Sequence, residues 1–156
     1  MKLNVRINGK DKSFRVGPEE VLLDVLRREG YTGVKRGCRK GDCGACAVLI
    51  DNELFNSCVL PAMSVAGKDV ITIEGIGTPN ALHVLQRTFL EEGAVQCGFC
   101  TPGMILAVKA LLDRNEDPNE TEIKEALDGN LCRCTGYVKI IKAVKKAARS
   151  MREVGE

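Results

Sequence analysis

Along the first fifty residues, apolar positions alternate with polar ones at the spacing of strands. Leu3, Val5 and Ile7 are separated by single polar residues, Asn8-Gly9 follows as a turn, and Phe14 and Val16 continue the alternation. This predicts an opening β-hairpin. Pro18-Glu19-Glu20 then opens a helix carrying Val21, Leu22, Val25 and Leu26, which Gly30 ends. Beyond a glycine-rich loop, Ala47 to Ile50 and Val70 to Ile73 are two further strand-like runs. A mixed sheet with one packed helix, a small α+β domain over residues 1–76, fits this order.

After Gly75-Ile76-Gly77-Thr78-Pro79 the period changes from that of a strand to that of a helix. Leu82, Leu85, Phe89 and Leu90 follow a candidate cap at Asn80. Thr101-Pro102 opens a second helix with Met104, Val108, Leu111 and Leu112, because proline suits a first turn. A third begins around Thr121, bears Ile123 and Leu127, and closes at Gly129; the fourth uses Ile140, Val144, Ala147 and Met151. Four short amphipathic helices with brief connections predict an antiparallel bundle over residues 80–156, with a linker near 75–80.

Composition narrows the classes. The chain has 156 residues, 44% of them apolar, and a net charge of +2, which excludes global disorder and gives no electrostatic reason for a nucleic-acid partner. The longest apolar run, Ala45 to Ile50, is too short to cross a bilayer, and Met1-Lys2-Leu3-Asn4-Val5-Arg6 lacks the apolar core of a secretory signal. A soluble, cytoplasmic chain is expected, with neither membrane nor nucleic acid as partner. Eight cysteines accompany one histidine and no tryptophan. In a reducing compartment eight thiols point to metal rather than to four disulfides.

Cys38, Cys43, Cys46 and Cys58 read C-x4-C-x2-C-x11-C, and the first three have the spacing of a plant-type 2Fe–2S loop. Three thiolates must converge from one short loop, and Gly37, Gly41 and Gly44 let its backbone curl. Zinc is the rival metal, although zinc sites usually offer two ligand pairs rather than three plus one. Cys97 and Cys100 form C-x2-C, and Cys132 and Cys134 form C-x-C. These pairs lie in the connections between bundle helices one and two and between three and four, which share one end of an up-down bundle. Spacing leaves this second site open to iron–sulfur or zinc. His83 stands near a helix start and is expected to be solvated, as are Lys142, Lys145, Lys146, Arg149 and Arg152 along the last helix. No catalytic constellation is visible, so the chain is expected to carry electrons rather than transform a substrate. A two-site zinc-binding interaction module and a free-standing diffusible ferredoxin are the alternatives.

Three segments carry a resemblance. Gly37-Cys38-Arg39-Lys40-Gly41-Asp42-Cys43-Gly44-Ala45-Cys46, Gln96-Cys97-Gly98-Phe99-Cys100-Thr101-Pro102-Gly103-Met104 and Gly129-Asn130-Leu131-Cys132-Arg133-Cys134-Thr135-Gly136-Tyr137 resemble the small iron–sulfur subunit of the molybdenum hydroxylases, the xanthine dehydrogenase, aldehyde oxidoreductase and carbon monoxide dehydrogenase family. The resemblance covers nearly the whole chain. It implies a β-grasp ferredoxin-like domain and a four-helix domain, each with one 2Fe–2S cluster. It also implies a large partner subunit with a molybdenum–pterin cofactor, a medium one with FAD, and a heterotrimer that is sometimes doubled. Electrons would pass from the molybdenum centre through the helical-domain cluster and then the ferredoxin-like one. Gln96 and Cys134 match the family's pterin-contacting positions. Arg36, Arg39 and Lys40 depart from the acidic or neutral residues common around this loop, and such cations are expected to raise the potential of the first cluster.

Overall fold

A computed structural model describes residues 1–154; the last two positions of the predicted 80–156 domain lie outside the described residues. The hairpin forms as the alternation requires. β1 (Lys2–Ile7) pairs antiparallel with β2 (Lys10–Arg15), Leu3 opposite Phe14, and buries Leu3, Val5 and Ile7. Asn8 and Gly9 both take left-handed backbone angles, φ 50° and 76°, as a two-residue turn between right-twisted strands demands. β3 (Ala47–Ile50) and β4 (Glu53–Asn56) form a second hairpin over Asp51-Asn52, and β5 (Asp69–Ile71) completes the order β2-β1-β5-β3-β4. Among the described residues only the β1–β5 pairing is parallel.

Across this sheet lies α1 (Leu22–Arg28), whose Leu22, Leu23, Val25 and Leu26 are buried with Leu3, Val5, Val48 and Ile50. The helix starts later than Pro18. Glu20 accepts the Gly17 N–H and pairs with Arg28, which folds residues 17–20 into a turn. The predicted strand at 70–73 ends at Ile71, because Ile73–Gly75 tightens into a 3-10 turn. β4 escaped prediction: Glu53-Leu54-Phe55-Asn56 is a short edge strand with no fully buried residue.

The second lobe contains α2 (Val84–Glu91), α3 (Thr101–Leu112), α4 (Glu120–Leu127) and α5 (Val138–Val154). Leu85, Phe89, Met104, Val108, Ile123, Leu127, Ile140 and Val144 fill its core. His83, not Asn80, caps α2: its Nδ1 accepts the Leu85 N–H at 3.2 Å, while Gln86 accepts the His83 N–H. Burial pushes its pKa down, so the expectation of a solvated histidine is corrected. On α5, Lys142, Lys146 and Arg149 are exposed as expected, and Lys145 pairs with Glu120 and Lys146 with Glu91 and Glu92 at the surface.

Leu49 ties the lobes together. It projects from β3 into the helical core, opposite the face that carries Val48 and Ile50, so all four β3 residues are buried. Among the described residues no helix is long and apolar enough to cross a membrane.

Candidate metal centres

The first cysteine group is built by a curled loop between α1 and β3. Lys35 N–H bonds the Ala45 carbonyl at 3.0 Å and closes it. A Cβ on Gly37 would stand 2.6 Å from the Cys43 sulfur, so the missing side chain leaves room for a ligand atom. The Cys38 sulfur accepts two amides, from Lys40 and Asp42, each at 3.3 Å, and the Cys43 sulfur accepts the Cys38 amide at 3.4 Å. Backbone donors, led by Lys40, pull the Cys38 thiol down to about 6. Cys58 arrives from the segment after β4; burial, then the neighbouring Cys46, pushes it up to about 11. Asn56 braces the group from β4 by donating to the Gly41 carbonyl at 2.7 Å.

The second group is assembled by topology. Cys97 and Cys100 lie between α2 and α3, with Cys100 at the α3 N-cap; Cys132 and Cys134 lie between α4 and α5. The four meet in two crossed pairs, Cys100 with Cys132 and Cys97 with Cys134. Burial raises Cys100 to about 12. Burial also opposes ionisation of Cys132, but the Thr135 hydroxyl at 3.1 Å and amide at 3.4 Å outweigh it and its pKa falls. Tyr137, whose φ of 69° turns it back over the loop, accepts the Cys132 N–H at 2.9 Å and donates to the Asn130 carbonyl at 3.0 Å. It therefore fixes the loop by hydrogen bonds. Gln96 and Cys134 are exposed, with Phe99, Leu131 and Val138.

Where the lobes meet, the two groups become neighbours. Leu131 N–H donates to the Cys43 carbonyl at 3.0 Å, one residue before Cys132. Beside this bond, a Cβ on Gly44 would fall 2.5 Å from both the Gly129 carbonyl and the Asn130 Oδ1. This contact has no local signature in the sequence, since only the fold brings the partners together, whereas the Thr135 hydroxyl lies three residues from the sulfur it binds. Asp24 of α1 was also unforeseen: it binds both Arg36, at 3.1 Å, and Arg39, at 2.7 Å. One carboxylate is thus shared by two of the three cations expected to act on the first loop.

These donor sets fit binuclear clusters. The first four thiols also fall into two pairs, Cys38 with Cys43 and Cys46 with Cys58, and a 2Fe–2S cluster takes two thiolates at each of two irons. Among the described residues no three His, Cys, Asp or Glu side chains are gathered to hold a single metal ion. Comparison with known proteins agrees: residues 5–68 match the 2Fe-2S iron-sulfur cluster binding domain, and residues 72–145 match the [2Fe-2S] binding domain. The nicotinate dehydrogenase small FeS subunit of Eubacterium barkeri is 49% identical over 146 residues, 93% of either chain. The chain belongs to the small iron–sulfur subunits of the molybdenum hydroxylases. Quinoline 2-oxidoreductase of Pseudomonas putida 86 has a chain matched over 96% of its length at 41% identity, with TM-score 0.93 and 98% of this chain covered. Aldehyde oxidoreductase of Desulfovibrio gigas is matched by 99% of this chain at 40% identity and TM-score 0.95, but over only 17% of its own length. This iron–sulfur subunit is a non-catalytic, electron-carrying part of an oxidoreductase, an α+β chain with two 2Fe–2S clusters, and nothing in the comparisons supports the zinc module.

Proposed function

We propose that Cys38, Cys43, Cys46 and Cys58 hold one cluster and Cys97, Cys100, Cys132 and Cys134 the other, and that the chain relays single electrons from the helical lobe to the ferredoxin-like lobe. The observation that carries this reading is the Leu131 N–H to Cys43 carbonyl bond of 3.0 Å, which joins the residue preceding one ligand to the backbone of another. When bound, a 2Fe–2S cluster supplies a carrier that accepts and releases one electron. The protein's part is to keep its ligands as thiolates and its sulfurs hydrogen-bonded. Lys40 and Asp42 amides do so at Cys38, and Thr135 does so at Cys132.

The exposed rim of the second group supports a permanent protein contact there. Phe99, Leu131 and Val138 are 47%, 58% and 60% exposed, and covering them would exclude water from the cysteines. The occupant we propose is a larger molybdenum–pterin subunit, with Gln96 and Cys134 against the pterin as the family resemblance implies. A FAD-bearing subunit, or another acceptor, stands beyond the first group. The match to one sixth of an aldehyde oxidoreductase chain supports larger partners. A heterotrimer, possibly doubled, in the cytoplasm completes the reading, with residues 1–76 and 80–156 as the two cluster-binding domains.

The test is metal and acid-labile sulfide analysis of anaerobically prepared chain, with Cys58→Ala and Cys132→Ala beside it. About four irons and four sulfides are expected, and each variant should lose one cluster while keeping the other. Two zincs without sulfide would overturn the reading. Recovery of molybdenum and flavin with the co-purifying subunits checks the partners.

A further inference from the structure

The interface between the lobes contains one side chain that the relay has not yet used. Asn130 is 3% exposed, and its Nδ2 is the one buried side-chain nitrogen or oxygen without a hydrogen-bond partner among the described residues. An unpaired buried amide costs free energy, so its position needs a cause. A small apolar side chain would avoid that cost. What a carboxamide offers here is shape: a short, flat end on a single methylene.

The surroundings demand that shape. Gly44, between Cys43 and Cys46, faces the carboxamide, and a Cβ there would approach Oδ1 to 2.5 Å and Cγ to 2.6 Å. Gly103, in the first turn of α3 after Cys100, forms the other wall. A Cβ on Gly103 would collide with the Gly44 carbonyl and stand 3.4 Å from Asn130 Nδ2. Two backbones therefore press against one side chain, each with no side chain of its own at the contact. The peptide around Asn130 is held as firmly. Its N–H donates to the Leu127 carbonyl at 2.9 Å, its carbonyl accepts the Tyr137 hydroxyl at 3.0 Å, and the next residue's N–H reaches Cys43.

We infer that Asn130 is a positioning residue: seated beside the direct Gly44–Gly103 contact, its carboxamide is the spacer between the Gly44 loop and the loop that carries Cys132, and it sets the separation of the two cysteine groups and with it the electronic coupling between them. This rests on the proposal that each group holds a 2Fe–2S cluster. Asn130 touches no cysteine sulfur among its recorded bonds, so its effect on either cluster alone is small. Its effect on the pair is geometric.

The test uses the full chain with both clusters loaded and reduced, read by electron paramagnetic resonance. Two nearby reduced clusters split each other's signals, and a dipolar splitting falls with the cube of their separation. Asn130→Gln, longer by one methylene, is expected to push the loops apart and narrow the splitting; Asn130→Ala, which removes the spacer, is expected to shift or broaden it. The potentials of the two clusters, titrated separately, should stay at their wild-type values. Unchanged splitting in both variants at full iron content would overturn the inference, and so would potentials that move while the splitting does not, since that marks a donor rather than a spacer. If Asn130→Gln loads only one cluster, Asn130→Ala and Asn130→Ser decide by the same criterion. Wild-type chain without two clusters would instead overturn the relay itself, a failure the iron and sulfide content reveals first.

Discussion

The two cysteine groups reach the same donor set by opposite routes. In the first, three thiols come from one nine-residue stretch, Cys38 to Cys46, and the backbone does the work: glycine makes space and loop amides bond sulfur. In the second, two pairs are separated by 31 intervening residues and helices α2 to α5 bring them together, with a side-chain hydroxyl from Thr135 on the sulfur. Their rims differ too, cationic at Arg36, Arg39 and Lys40, apolar at Phe99, Leu131 and Val138. A site made by a loop is specified by local spacing, whereas one made by a bundle depends on the whole lobe.

If that contrast is right, the two centres should fail independently. Gly37→Val has the largest expected effect. Its side chain would occupy the space beside the Cys43 sulfur, so the first cluster is lost, iron falls by half, and the second cluster keeps its signal. Loss of both would show that the lobes load as one unit. Next in size is Thr135→Val, which deletes the 3.1 Å bond to Cys132. The second cluster's potential should fall by roughly 20–60 mV, the equivalent of about 0.5–1.5 kcal/mol for one hydrogen bond at ~59 mV per tenfold, while the first stays put. Titration of both clusters in one sample checks it.

Arg39→Glu sharpens the comparison at the first rim. Asp24 already neutralises part of the Arg36–Arg39 charge, so the potential of the first cluster should fall by less than in Thr135→Val, and the change should shrink with added salt. A shift that ignores salt, or none at low salt, would remove the cations from the account. The smallest effect concerns the α4–α5 contact. Glu120, hydrogen-bonded to Lys124 and Lys145, has its pKa held down at about 2 from an ordinary 4.5. Its contribution is complete above about pH 4.5 and is lost as pH falls toward 2. Glu120→Gln should remove that part of the acid sensitivity, measured by unfolding across the window.

Much of this molecule could be read from its residues. The Leu3-Val5-Ile7 alternation and the Asn8-Gly9 turn are local, and each reappears in the fold; the Cys38–Cys46 spacing is a local signal of the same kind. What could not be read depends on distant partners. His83 caps α2 because its side chain turns back on its own helix, a role that the better-ranked cap at Asn80 concealed. Asn119 likewise starts α4 ahead of Thr121, in a reciprocal box with Glu122. β4 carries no periodic signal because it is an edge strand only half covered. Gly44 reads as a curl in a metal loop, yet its closest constraint is Asn130, 86 residues later in the chain.

The burial of Leu49 bears on how the polypeptide is made. A ribosome releases β3 long before α3, and for that interval the strand has one finished face and one apolar face still waiting for its cover. The Gly129–Asn130 backbone that abuts Gly44 emerges roughly 80 residues after β3, or ~4–16 s later at ~5–20 residues per second. During that interval, the half of the protein whose fold is plainest in its sequence is the half that cannot be completed alone.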